Sequence, residues 1–228
     1  MRTRLHTLAL AAVLLGVPAA YAAAQTQPPA SESTAAHARL ETRLDPRTRV
    51  LVEHVIDSAQ TAGIPAEPLV DKALEGASKR ASPDAILRAV RGLALDLATA
   101  RQSLGPQSPA DELAVGAAAL RAGVDTDALR KLRRERPGQS LVIALSVLTD
   151  LIASNVPVAD ATRSVLALTS KGALDEQLVA FRRDVERDIG IGASPGIAVA
   201  SQAAGFFASR APLDGGRGGG APPRKPTP

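Results

Sequence analysis

The chain has 228 residues, with no cysteine or tryptophan, one tyrosine, three phenylalanines and a formal charge of +4. The lack of cysteine excludes disulfides, thiol chemistry and lipid attachment at a cysteine. An apolar fraction of 45% with only 2% aromatics argues against sandwiches and barrels, whose pleated faces favour β-branched and aromatic side chains, and for closely approaching helices.

Residues 1–24 carry the pattern of a cleavable export signal. Arg2 and Arg4 precede an apolar run from Leu8 to Val17, and the series Ala20-Tyr21-Ala22-Ala23-Ala24 offers small-residue cleavage before Gln25. The run is shorter than the ~18 residues a membrane span needs, so no span is expected after cleavage. The expected address is periplasmic or extracellular. Residues 25–189 contain 21 Lys/Arg against 22 Asp/Glu, so the positive excess belongs to the ends. A nucleic-acid partner calls for clustered charge on a folded face and is not expected.

Residues 25–44 read as a flexible leader and residues 45–190 as an all-α domain of about seven or eight helices. Asp45-Pro46 supplies an N-cap and first helical residue, followed by Leu51, Val52, Val55, Ile56 and Ala59 at helical spacing up to Gly63. Pro65 opens a second helix. Ser82-Pro83 opens the third, with the stripe Ile86, Leu87, Val90, Leu93, Ala94, Leu97 and Leu104. Ser108-Pro109 starts the fourth, with Asp111 in the place of a capping-box acid, and Asp125 caps the short fifth. The sixth, Ser140 to Ser154, is apolar on nearly all sides and is expected to be buried. Pro157 and Asp175 begin two more. Residues 191–212 read as a linker in which Ile197 to Ser209 can form a terminal docking helix, and residues 213–228 as a disordered Gly/Pro-rich basic tail.

One local pattern recurs. Gly63, Gly123 and Gly172 are each followed six residues later by a leucine (Leu69, Leu129, Leu178), and Asn155 stands in the same relation to Ala161. A left-handed helix end, an apolar clasp and a new cap produce such a spacing. The separations are irregular, which implies stacked helical hairpins, as a bundle or irregular superhelix, rather than a fixed-period repeat.

Few constellations bear on chemistry. His54 and Asp57 stand one turn apart, but a zinc site needs three or four ligands and His37 lies in the leader. No metal or cofactor is expected. His54 is also the one plausible base for a nucleophilic mechanism, and no Gly-x-Ser-x-Gly elbow is present. Asp45, Asp84, Asp111, Asp125 and Asp175 all fall at helix starts, where capping and the helix dipole account for them. Gly190 to Gly196 lacks the lysine of a phosphate loop. The sharpest surface feature is the run Arg130, Lys131, Arg133, Arg134 and Arg136, a candidate patch for an anionic partner, or else cations opposing the negative end of a helix dipole.

These observations imply an exported, non-catalytic helical scaffold that holds an unidentified protein or envelope partner in a groove between hairpins. One alternative is attachment to anionic polymers or lipid through the basic patch and tail. A less favoured one is a carboxylate-dependent hydrolase.

Overall fold

The computed structural model describes residues 37–209. Residues 1–24, read as an export signal, most of the segment read as leader, and the segment read as a basic tail lie outside the described residues. Within them the chain is all-helical: a segment at residues 37–41 (α1), then α2 Pro46–Thr61, α3 Glu67–Ser78, α4 Pro83–Leu104, α5 Ala110–Arg121, α6 Thr126–Glu135, α7 Val142–Ala153, α8 Val158–Ser170, α9 Asp175–Gly190 and α10 Pro195–Ala208. The helices expected from periodicity are all present. The number is slightly higher than seven or eight because elements form at both margins. Residues 37–44, read as leader, are tied down: Leu40 is fully buried, and Arg39 donates to Glu67 and, at 2.7 Å, to Asp71 on α3. At the other margin α10 docks on α8 and α9 through Ala198, Val199 and Ala203.

The helices form two rows. Helices α2, α4, α6, α8 and α10 pack side by side in one row, and α5, α7 and α9 in the other. The rows are joined where α4 meets α5, α7 meets α8, and α9 meets α10, and α3 packs on α4. This next-but-one packing is the arrangement of a helical solenoid, in which each hairpin buries its apolar face on its neighbours. In the first half α4 is the hub, ~33 Å long from its 22 residues, touching α2, α3, α5 and α6. In the second half α7 sits among α5, α8 and α9. Its Leu145, Leu148 and Leu151 are fully buried, as its all-round apolarity predicts.

The corner inferred at four positions occurs at six. Gly63, Arg80, Gly123, Asn155, Gly172 and Gly192 all have positive φ. At each, two backbone bonds close the helix end. Gly123 N–H donates to the Leu120 carbonyl and Val124 N–H to that of Ala119, both at 3.0 Å, and the Asn155 pair does the same with Ile152 and Leu151. The bond from the residue after the left-handed one defines a Schellman closure. That following residue is apolar every time (Ile64, Ala81, Val124, Val156, Ala173, Ala193), and the position after it leads directly into the next helix. Six residues past the corner the side chain is buried each time: Leu69, Ile86, Leu129, Ala161, Leu178 and Ala198. Corners at Arg80 and Gly192 were hidden, the first because arginine carries no turn signature.

Capping follows the sequence at Asp45 and Asp125, but not at α5, whose N-cap is Pro109 rather than Ser108 and whose Asp111 accepts from the adjacent Glu112 N–H instead of serving as a capping-box acid. Asp45 accepts from Thr48 N–H at 3.0 Å and Asp125 from Ala128 N–H at 2.7 Å. Hydrogen bonding from Thr48 holds the Asp45 carboxyl below its ordinary value. Gly116, in mid-helix where glycine costs about 1 kcal/mol, is explained by the α4–α5 approach: a Cβ there would lie 2.8 Å from Leu104 Cδ1.

A surface triad on α3 carries a pH prediction. Glu75 accepts from Lys72 at 2.8 Å and Lys79 at 2.5 Å, which lower its pKa from 4.5 to about 2. A depressed carboxyl contributes stability that is complete above its unfolded value and lost as pH falls from 4.5 towards 2. Thermal melts of Glu75→Gln against pH should therefore show a smaller decline over that window than the parent, and high salt should narrow the difference. Parallel curves would refute the assignment.

Candidate partner-binding furrow

The basic run on α6 divides in space. Arg136 is 5% exposed; its guanidinium donates to Asp175 at 2.6 Å and to the Ala173 carbonyl at 2.9 Å, tying the end of α6 to the start of α9. Arg133 pairs with Glu112 and also donates to the carbonyls of Leu104 (3.1 Å) and Gln139 (2.9 Å). Arg130 bonds Asp127 at 2.7 Å. Lys131 and Arg134 are the two members that are exposed with no ion-pair partner among the described residues. The five cations are thus not one surface: two point inward as cross-links between helices, and one is paired within its own turn.

Glu112, which carried no sequence signal, is the most buried ionisable group among the described residues, at 1% exposure. The reason is local. It is the third residue of α5, where a glutamate ordinarily bonds back to the N-cap amide. The N-cap here is Pro109, which has no N–H. The carboxylate turns inward instead, accepting from Arg133 and, at 2.9 Å, from Leu141 N–H at the start of α7. A cleft of about 400 Å³ opens above this pair between residues 105–109 and 138–140. Both Glu112 oxygens are engaged by these internal donors.

His54 and Asp57 are not brought together as a site. Asp57 faces His37 at 3.3 Å, whereas His54 lines a furrow between α2 and α4. The two helices run parallel: Asp45 and Leu51 stand beside Pro83 and Leu87 at one end, and Ala62 beside Ala98 at the other. The furrow encloses about 420 Å³ and is lined by His54, Val55, Ser58, Ala59, Ala62 and Ile64 from one wall side and Arg91, Ala94, Leu95 and Ala98 from the other. Towards the N-terminal ends of the same two helices lies a second recess of about 310 Å³, lined by Leu51 and Leu87 among others. Leu95 is 69% exposed and Leu51 41%, so an apolar side chain stands in solvent at each.

Arg91 lines the furrow, and Arg88 lies one turn before it on α4. Both are exposed and have no ion-pair partner among the described residues. Many other arginines are paired, including Arg49 with Glu41 and Glu53, Arg121 with Asp96, Arg163 with Asp160, and Arg187 with Asp184, while Arg80, Arg134 and Arg183 are exposed and, like Arg88 and Arg91, in no ion pair among the described residues. Arg47 lines the second recess with Asp45 and Asp84. Sequence reasoning passed over Leu95, yet a signal existed: it falls off the stripe of Ile86, Val90 and Leu97 that α4 buries. A leucine out of phase with its own helix is either wasted or presented.

Among the described residues no group of three His, Asp or Glu side chains is placed to hold a metal ion, and no helix is long and apolar enough to cross a membrane. Comparison with known proteins finds no matching family model, no similar curated protein and no similar solved structure.

Proposed function

We propose that the chain is an exported, non-catalytic helical scaffold whose α2–α4 furrow holds a macromolecular partner. The observation that carries the reading is the furrow itself. Apolar side chains stand exposed along a recess flanked by uncompensated cations, on the outer surface of one row of a two-row stack. Two-row helical stacks present extended surfaces that bind through shape and a few anchors rather than through reactive groups. Supporting the non-catalytic part, the most buried acid and its arginine are engaged in holding α5, α6 and α7 together. Export rests on the sequence pattern of residues 1–24.

Photo-crosslinking in the native host tests the reading. A benzophenone amino acid in place of Leu95 in the full-length chain should give one discrete adduct in the envelope or extracellular fraction. The same group in place of Arg163, exposed on α8, should give none. No adduct at Leu95, or the same adducts at both positions, sinks the proposal.

A further inference from the structure

The furrow's chemistry narrows the class of partner, an inference that rests on the scaffold reading above. We infer that its occupant is an amphipathic helix from another protein, with carboxylates flanking the apolar stripe. From Leu51 to Ala62 the wall of α2 is ~17 Å long, about three helical turns. A helix laid there presents apolar residues three and four apart to Leu51, Val55 and Leu95, the helix-in-groove mode of recognition. Acidic residues beside that stripe meet Arg88 and Arg91, which no described carboxylate neutralises.

Other occupants fit less well. Within this chain the apolar run from Leu8 to Val17 is led by Arg2 and Arg4, the wrong sign for this rim. Residues 25–36 hold one acid, Glu32, and no leucine, isoleucine, valine or phenylalanine. Residues 210–228 have one large apolar side chain, Leu213, among Arg210, Arg217, Arg224 and Lys225. A second copy placed furrow to furrow would set Arg88 and Arg91 against their own equivalents. A bilayer surface meets the cations but cannot enter a recess between two helices, whereas a ridge of side chains can.

The test uses labelled peptides of about 18 residues, titrated by fluorescence anisotropy into the mature chain. One has a leucine stripe flanked by glutamates, the second is its scrambled isomer, and the third replaces the glutamates with lysines. The acidic amphipathic peptide should bind at least about tenfold more tightly than either control, and about 0.5 M salt should weaken it. The surface double variant Arg88→Glu/Arg91→Glu, with helicity verified by circular dichroism, should reverse the preference towards the lysine peptide. Equal binding of the scrambled isomer, or an unchanged preference in the double variant, overturns the inference. So does tighter association with vesicles about one-third phosphatidylglycerol than with the acidic peptide. A cellular adduct at Leu95 without any acidic preference overturns this inference and leaves the scaffold reading standing. Acidic preference without a cellular adduct supports the inference and counts against the scaffold reading alone.

Discussion

Replacing Arg133 by methionine should destabilise the protein by about 3–5 kcal/mol, the cost of stranding a buried charge. The charge stranded is Glu112, which is 1% exposed and retains only Leu141 N–H as a partner once the guanidinium is gone. The reverse substitution, Glu112→Gln, should cost less. Arg133 is partly exposed, so water reaches it, and its bonds to the Leu104 and Gln139 carbonyls survive. Combining Arg133→Met with Glu112→Gln should recover part of the loss, since the second change removes the charge that the first left uncompensated. Urea denaturation followed by far-ultraviolet circular dichroism reads all three. Additive losses in the double variant would show that the two side chains stabilise independently, and the cross-link between α5, α6 and α7 would have to be abandoned.

The second large effect is expected at Leu148. It is fully buried in α7, the helix that joins α5, α8 and α9. Leu148→Ala should cost about 2–5 kcal/mol through lost transfer energy and the cavity left behind. Leu95→Ser, by contrast, should change stability by no more than about 0.5 kcal/mol, because the side chain is 69% exposed. The contrast separates the two leucines by role: one holds the stack together, the other is available to a partner. A loss at Leu95 comparable to that at Leu148 would mean that the furrow leucine belongs to the core.

Much of the fold is legible because its signals are local. Pro46, Pro83 and Pro195 stand in the first turn of their helices, and Asp45 and Asp125 accept the amide bonds expected of caps. The corner at Asn155 was readable because asparagine tolerates the left-handed region, whereas Arg80 adopts φ 55° without any residue preference to announce it. There the bonds from Arg80 N–H to the Ala77 carbonyl and from Ala81 N–H to that of Gly76 close the turn, and Ile86 six residues on is buried.

The candidate site was less legible. Five cations in seven residues form a patch on paper, because sequence distance stands in for spatial distance. In the fold, α6 turns Arg133 towards Glu112, 21 residues away, and Arg136 towards Asp175, 39 residues away. The reverse holds for the furrow. Val55 and Leu95 come from helices separated by the whole of α3, and no local rule brings them to one recess.

By itself, then, the sequence determined the all-α class, the boundaries of most helices and the corners at Gly63, Gly123, Asn155 and Gly172. Each depends on interactions within about one helical turn. Only the tertiary structure decided which charges are internal, which leucine remains in water and where a groove opens. These depend on which helix lies beside which, and a two-row stack sets that by burying apolar faces between helices two apart in the chain.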